Sequence, residues 1–299
     1  MRQPRGCPRY RSELLLHSGF AYCAFCKTDV LVYNGADPSA IRMRPIFLGK
    51  GPPMTSQNYR SLASELSSLL ALQSKPLAIT FSQQAPANVP LYEGNMPPPT
   101  PDGRTGKVSA GCVFWMKATQ RTFSTRPDDH ANCSVGSVTH GLKTLQEVAD
   151  KSDVAALLEC GWVKMEMMPN IPVVKKRPNY ITYGPLEDTT IDPDVVFLRI
   201  NAKQAMVMSS AVDGLRYEGK PQCHIIPIAK EEKQVALSVG CMLSRVRTGM
   251  SNTEMTCAIP GERLAEVIEV LKNTCKADSA AATYASEDAR RFLNSSGLP

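Results

Sequence analysis

The chain lacks any apolar run long enough to cross a membrane, because its 299 residues contain no stretch of about 18 apolar residues. Near the N-terminus, three consecutive leucines are interrupted at once by His17 and Ser18, and no small-residue cleavage site follows them. We therefore expect neither a transmembrane helix nor a secretory signal. Ten cysteines without such a signal favour a cytoplasmic location, where thiols are free, metal-bound or catalytic.

The chain also has little net charge outside its first 53 residues. Its formal charge is +6, and residues 1–53 account for +5 of it, because they carry eight Lys and Arg residues against three acidic ones. Only +1 remains for residues 54–299, so a surface that follows a nucleic-acid backbone has no support there. We predict no nucleic-acid partner and no membrane partner, while a small-molecule ligand and a homo-oligomer stay open.

Several motifs with a defined chemistry are missing. The sequence contains no Gly-x-x-x-x-Gly-Lys-Ser/Thr, Gly-x-Gly-x-x-Gly, Gly-x-Ser-x-Gly or His-Glu-x-x-His pattern. No phosphate-binding loop, dinucleotide fold, serine hydrolase or zinc protease is therefore indicated. Whether the protein is an enzyme stays open at this point, and so does the identity of any cofactor.

What the sequence does contain is an alternation of helical and extended patterns. Leucines at spacings of three and four predict an amphipathic helix over residues 58–73. Apolar runs predict strands over 77–81, 194–200 and 254–259, and a helix over 202–212. This alternation favours an α/β or α+β fold, with a mixed sheet and flanking helices in a single globular domain.

We predict three regions along the chain. Residues 1–53 are basic and lack sustained periodicity, so we expect either a loosely packed extension or sequence upstream of the true start. Residues 54–275 form the globular domain, in which the proline-rich and polar stretch 82–106 predicts a long surface loop. The last helix of this domain is expected to end near Cys275. The small and polar residues 276–299 then predict a frayed tail.

Four cysteines stand in turn-like or glycine-flanked surroundings: Cys112, Cys133, Cys223 and Cys241. Such surroundings predict thiols that loops present to a ligand. Because zinc and iron–sulfur clusters bind thiolates, we predict a metal ion, an iron–sulfur cluster or a small ligand here, with His130 and His224 as additional candidate ligands. No pair has the Cys-x-x-Cys spacing of zinc motifs, so the competing interpretation is that these are isolated packing residues.

Cys133 is also a candidate catalytic nucleophile. His130 precedes it by three residues and His140 follows it by seven, and a helix is predicted to begin at Ser134 or Ser137. A nearby imidazole or a helix start lowers the pKa of a thiol and raises its reactivity. A thiol-dependent enzyme using these residues is therefore a second hypothesis, and a non-catalytic accessory protein of a catabolic or redox gene cluster is a third.

A glycine turn near the C-terminal part of the domain is a candidate cofactor-binding loop. Gly240 exposes backbone N–H groups, and Arg245 and Arg247 supply positive charge for an anion. The competing interpretation is a solvated loop in which Arg245 pairs with Glu254. The only Cys-x-x-Cys of the chain, Cys23 to Cys26, lies in the N-terminal segment and predicts no site.

Several motifs occur in a recognisable order: KPLAI at 75–79, a cysteine at 112, Cys133-x-x-Gly136, YGPLED at 183–188, PDVV at 193–196, Ala205-Met206, and Gly240-Cys241 before Arg245. An acidic residue and a strand that runs into proline follow at 254–260. With these motifs the chain resembles the family known as domain of unknown function 169. The resemblance covers about residues 58–275. It implies a family domain over that stretch and no particular activity.

Overall fold

The protein is described by a computed structural model for residues 16–17, 20–22, 29–30, 56–94 and 111–296. By its internal contacts the chain divides into two units, Met1–Pro52 and Pro53–Pro299. In the first unit, the short strands β1 (Leu16–His17), β2 (Phe20–Tyr22) and β3 (Asp29–Val30) pair antiparallel in that order. Most of segment 1–53, and the predicted loop beyond residue 94, lie outside the described residues, so both predictions stay predictions.

The second unit is built on one seven-stranded mixed sheet. Its strands are β4 (Leu77–Ser82), β5 (Phe123–Thr125), β6 (Tyr180–Pro185), β7 (Val195–Asn201), β8 (Arg216–Glu218), β9 (Ala236–Ser238) and β10 (Glu254–Pro260). They lie in the order β5-β6-β4-β7-β10-β9-β8. Neighbours pair antiparallel except β8 and β9, which are parallel. The predicted mixed sheet with flanking helices is confirmed.

Nine α-helices are described: α1 (Ser56–Leu70), α2 (Gly111–Ala118), α3 (Ser134–Thr139), α4 (Leu145–Val148), α5 (Ser152–Glu159), α6 (Ala202–Ala211), α7 (Ile225–Pro227), α8 (Met242–Thr248) and α9 (Leu264–Ser296). Short 3-10 turns lie at Pro127–His130, Met165–Asn170, Leu186–Asp188, Gln222–His224 and Gly261–Arg263. None of the helices in the described part of the chain has the length and apolar character needed to cross a membrane.

Alternation along the central strands divides the core into two faces. On β7, Val196, Leu198 and Ile200 point to one side, and Val195 and Phe197 point to the other. This is the two-residue period of an extended chain, and every residue of both sets is buried because helices cover both sides.

The first side, which we call the aliphatic face, is covered by α1, α6 and α9. Its buried residues are almost all aliphatic, and those of α9 fall at helical spacing: Leu264, Val267, Ile268 and Leu271. The second side, the aromatic face, is covered by α2 and by the segment from Gln222 to Glu232. Four aromatic rings pack there with centroid separations between 4.9 and 6.0 Å: Tyr92, Phe114, Phe123 and Tyr183.

The prediction that the last helix ends near Cys275 is wrong, because α9 continues to Ser296. The residues after Cys275 are polar, but they are rich in alanine and charged helix formers and contain no glycine or proline before Gly297. Helix propensity depends on these local preferences and not on burial. A mainly exposed helix therefore forms where the composition indicated a frayed tail.

Candidate functional site

The four cysteines line one cavity of about 30 Å³ on the aromatic face. Each comes from a different element and stands at or near a helix start. Cys112 is the second residue of α2, Cys133 caps α3, Cys223 lies in a 3-10 turn, and Cys241 directly precedes α8. The fold thus brings together four thiols that are spread over 130 positions of the sequence, from 112 to 241.

Local backbone geometry explains two of these positions. Cys133 is extended and caps α3, because its Sγ accepts a hydrogen bond from the Gly136 N–H at 3.4 Å. The next residue, Ser134, where the helix was predicted to begin, donates its hydroxyl to Asp153 at 2.7 Å. Before Cys241, Gly240 has a φ of 113°, which favours glycine, and a Cβ there would lie 2.7 Å from Arg245 Nη2.

The thiols of the cavity interact with one another. Burial raises the pKa of Cys112 to about 11, and the neighbouring Cys133 and Cys241 add to this rise. Burial also raises the pKa of Cys223 and of Cys241, again with a contribution from Cys133. A thiolate on one cysteine therefore disfavours a thiolate on the others, as expected when like charges share a small, poorly solvated space.

Hydrogen-bond donors and one cation oppose this repulsion. The Ser244 hydroxyl bonds Cys112, and the backbone N–H groups of Leu243 and Ser244 bond Cys241; each of these contacts lowers the pKa of its thiol. Arg247 lies beside Cys133 and donates to the Asn132 carbonyl oxygen at 3.2 Å, and its charge lowers the pKa of Cys112 and Cys241. The cavity thus disfavours several thiolates through burial and mutual repulsion, yet presents groups that favour them.

Arg247, predicted together with Arg245 to attract an anion at the glycine loop, was not assigned to the cysteine site. Burial tends to lower the pKa of its guanidinium, but the cysteines raise that pKa above its ordinary value. Cys241, Ser244 and Arg247 follow one another at spacings of three, so a helix over these residues places them on one face. The sequence contains this spacing of three, but the spacing links Arg247 to Cys241 only when α8 is known to be a helix.

Arg245 and Gly240, the predicted cofactor-binding pair, lie at the same loop, and the Arg245 side chain is bound to backbone oxygens there. The Arg245 guanidinium donates to the backbone oxygens of Val239 at 2.8 Å, Glu254 at 3.0 Å and Ser251. The Glu254 carboxylate is bound instead by Arg199 at 2.7 Å. Arg245 thus closes the loop that positions Cys241, and its use as an anion ligand stays a prediction.

His130 and His140 lie behind the cavity, in the aromatic packing. His130 Nε2 is 2.9 Å from the Thr125 hydroxyl, and His140 Nδ1 is 2.7 Å from the Gly136 carbonyl oxygen. Burial lowers the pKa of His130 well below its usual value and that of His140 to about 4. Both rings are therefore neutral near pH 7. The Cys133 sulfur is instead contacted by the Gly136 N–H and by Arg247.

The rest of the cavity wall is largely apolar and aromatic, with contributions from Trp115, Val135, Trp162 and Pro221. Gln222 is its main uncharged polar group. Its amide nitrogen donates to Ser244 at 2.7 Å, while its Oε1 is buried and has no hydrogen-bond partner in the described structure. Among the described residues, no three His, Cys, Asp or Glu side chains are arranged to hold a metal ion.

The fold and this cavity define an α/β protein whose mixed sheet carries a cysteine-lined cavity on one face. A family model described as "Uncharacterised ArCR", domain of unknown function 169, matches residues 65–270. Because the match covers more than half of the chain, the chain belongs to that family, and the resemblance seen in its motifs is confirmed. Comparison with curated proteins and with solved structures finds no match.

Proposed function

We propose that the protein binds an iron–sulfur cluster through Cys112, Cys133, Cys223 and Cys241. The observation that carries this proposal is the assembly of four thiols from four separate elements around one cavity. Iron–sulfur clusters are commonly held by four Cys thiolates, whereas cysteines that only fill space in the core are not expected to gather around one cavity. This function would make the protein a cytoplasmic cofactor-binding protein, with or without a catalytic role.

The electrostatics of the cavity support the same proposal. Burial and the neighbouring thiols raise the pKa of Cys112, Cys223 and Cys241, so the thiolate form needs compensation from positive charge. Iron supplies that charge and deprotonates the sulfurs that bind it. The donors from Ser244, Arg247 and the start of α8 are the kind of contacts that tune the reduction potential of a cluster.

A cluster fits the arrangement better than a single zinc ion does. Four thiolates around one zinc lie about 3.8 Å apart, because each Zn–S bond is about 2.3 Å in a tetrahedral site. No three of the described ligand-type side chains meet the requirement for one ion, but all four thiols face one space. A cluster places several iron and sulfide atoms between its thiolates, so the thiols that hold it need not all lie within bonding distance of one ion.

The test is anaerobic purification followed by reconstitution with iron and sulfide. We expect a broad visible absorption band, with bound iron and sulfide in equal amounts. Cys112→Ser and Cys241→Ser should each remove most of the band. Cys160→Ser is the matched control, because Cys160 is an exposed cysteine outside the cavity and its loss should change nothing. A folded, colourless protein that takes up no iron, or one that takes up zinc alone, would contradict the proposal.

A second candidate is supported by one observation, the contact between Arg247 and Cys133. Reactive cysteines sit in electropositive surroundings, and Cys133 has this guanidinium beside its sulfur, so it is the cavity thiol best placed for nucleophilic or redox chemistry. In the thiol-enzyme hypothesis, Arg247 is therefore a better candidate for the activating group than His130 or His140. Alkylation of the metal-free native protein with iodoacetamide tests it.

In that experiment we expect Cys133 to react faster than the other cavity cysteines, and Arg247→Gln to slow its reaction. Arg245→Gln is a less suitable control because it opens the loop, so Lys176→Gln, a change of an exposed side chain, serves instead. A Cys133 that reacts no faster than Cys112, or at the same rate with and without Arg247, would argue against an activated thiol. If neither this test nor the cluster test succeeds, the accessory-protein hypothesis remains.

A further inference from the structure

A second and much larger cavity, of about 850 Å³, adjoins the cysteine-lined cavity. The two share Val135, Trp162 and Pro221 in their walls. Its outer walls come from α3, α4, α5 and the turn Met165–Asn170. Sites that bind small organic molecules usually have volumes of about 300–1,000 Å³, so this cavity is of the size that holds one such molecule.

The lining of this large cavity is strongly apolar. Val138, Val148 and Val154 form a small buried cluster of their own at its base, and Leu158 and Ile171 pack against them. Three methionines from the turn at 165–170 complete the wall, and Met165 is 64% exposed. Methionine side chains are flexible and polarisable, which suits a surface that adapts to a bound apolar molecule.

One buried polar group faces this space without a partner. His224 lines the cavity and is only 6% exposed, and its Nε2 atom has no hydrogen-bond partner in the described structure. Its other ring nitrogen, Nδ1, lies 3.8 Å from a Glu218 carboxylate oxygen. A buried polar atom left unpaired is costly, so such an atom in a cavity wall points to a missing ligand or water.

The surroundings of His224 set the kind of partner that its unpaired nitrogen needs. Nδ1 faces the Glu218 carboxylate, which can only accept a hydrogen bond, so the ring proton belongs on Nδ1. In that tautomer Nε2 is a hydrogen-bond acceptor. The missing partner is therefore a donor.

We propose that the large cavity binds a small, mainly apolar organic molecule whose hydroxyl or N–H group donates to His224 Nε2. A peptide segment fits less well, because its backbone brings several donors and acceptors that all need partners in an apolar lining. The bound molecule would lie beside Trp162, whose ring is shared with the cysteine-lined cavity and is covered on one side by Lys220 at 4.9 Å. This proposal holds whether or not a cluster is present.

The experiment uses two probes that differ only in the donor, 2-naphthol and 2-methoxynaphthalene, with binding measured by titration calorimetry. The wild-type protein should bind 2-naphthol about five to ten times more tightly, since a hydrogen bond contributes about 1 kcal/mol net and 1.4 kcal/mol is tenfold. His224→Leu should remove this preference while retaining binding. His224→Gln keeps an acceptor and should restore part of the preference.

A second variant makes the test independent of His224. Leu158→Trp fills part of the cavity and should abolish binding of both probes, whereas Met206→Trp adds the same side chain on the exposed surface of α6 and should not. Equal affinity of the two probes for the wild-type protein, or no binding of either, would overturn the proposal. A change of oligomeric state in Leu158→Trp without any probe binding would assign the cavity to a protein interface and would also overturn it.

Discussion

The two faces of the sheet share their strands but differ in the side chains that they bury. On the aliphatic face, residues of α1, α6 and α9 pack against the strands almost without polar atoms. On the aromatic face lie the four cavity cysteines, His130, His140, His224 and both cavities. Every buried side-chain atom that lacks a hydrogen-bond partner in the described residues lies there too: Trp115 Nε1, His130 Nδ1, His140 Nε2, Tyr183 OH, Gln222 Oε1, His224 Nε2 and Thr256 Oγ1.

This difference separates stability from function within one domain. Native proteins leave few buried polar groups unpaired, so a concentration of them on one face is expected where a ligand supplies the missing partners. The aliphatic face has no such need, and it provides the burial that holds the sheet. Substitutions on the two faces should therefore differ in kind: one set should change the free energy of unfolding, and the other should change ligand or cofactor binding.

The largest effect is expected for Leu198→Ala on the aliphatic face. Leu198 is 1% exposed on the central strand β7, and truncating such a leucine leaves a cavity that costs about 2–5 kcal/mol. Urea denaturation measures the loss, and probe binding in the large cavity should be unchanged in the folded variant. Val246→Ala is the control, because the Val246 side chain of α8 is 79% exposed. A loss below 1 kcal/mol, or a loss of probe binding, would break the proposed separation of the two faces.

Acid should destabilise the protein through the aromatic face. The pKa of His140 in the folded protein is about 4 because the ring is buried, whereas in the unfolded chain it returns to about 6.5. The unfolded state then binds more protons as the pH falls below 6.5, so the stability that is present above this pH is lost progressively towards pH 4.

For His140 alone this amounts to about 2 kcal/mol between pH 7.5 and pH 5. Urea denaturation at the two pH values should show that His140→Gln reduces the difference by about that amount. A surface change such as Lys176→Gln should leave it as in the wild type. If His140→Gln retains the full loss of stability between pH 7.5 and pH 5, the ring is not held neutral in the folded protein. The assignment of a buried, neutral His140 to the aromatic face is then wrong.

Alkali should act on the cysteine-lined cavity of the metal-free protein. Burial raises the pKa of Cys112 to about 11 in the folded state, against 9.0 for a free thiol. Stability is therefore fully present below pH 9 and is lost as the pH rises from 9 to 11, because the unfolded chain gives up its proton first. At pH 10 the loss from this thiol is about 1.4 kcal/mol.

Cys112→Ser should remove that loss, and Cys160→Ser should not, because Cys160 is exposed. Thermal unfolding under reducing conditions at pH 8 and pH 10 measures the difference. With a bound cluster the thiolates are already formed, so the cluster-loaded protein should lack this alkaline loss. Identical pH dependence of the loaded and metal-free forms would contradict the assignment of these thiols as ligands.

Local sequence patterns predicted the fold well where structure follows from local chemistry. The helix over 58–73 and the strands over 77–81, 194–200 and 254–259 correspond to α1, β4, β7 and β10 within a few residues. Each combines a regular apolar period with clear ends, such as Pro76 before β4. The extent of α9 was missed because exposed helices depend on propensity, which carries no apolar period.

The sequence predicted the four cysteines of the candidate site but not the residues that contact them. Glycine-flanked surroundings singled out the four cysteines, yet their convergence depends on β-strand pairings between distant parts of the chain. The pairing of Cys133 with Arg247 joins residues 114 positions apart. No local pattern contains that information. The neighbouring His130 was the natural local choice, and the structure places its Nε2 against Thr125.

The smallest expected effect compares two tyrosines, one from each face. Tyr59 belongs to the aliphatic face, and its hydroxyl donates to Asp192 at 2.8 Å. Tyr183 belongs to the aromatic face, and its buried hydroxyl has no hydrogen-bond partner in the described structure. Replacing each by phenylalanine removes one oxygen atom, so the pair differs in what that oxygen contacts and not in the size of the change.

Tyr59→Phe should cost about 1–2 kcal/mol, because it breaks a hydrogen bond to a charged group. Tyr183→Phe should cost nothing or add up to about 1 kcal/mol of stability, because it removes a buried polar group that is unpaired. Urea denaturation of both variants provides the comparison. If Tyr183→Phe destabilises the protein as much as Tyr59→Phe, the hydroxyl is bound by an ordered water, and the aromatic face is then better satisfied in the free protein than we infer.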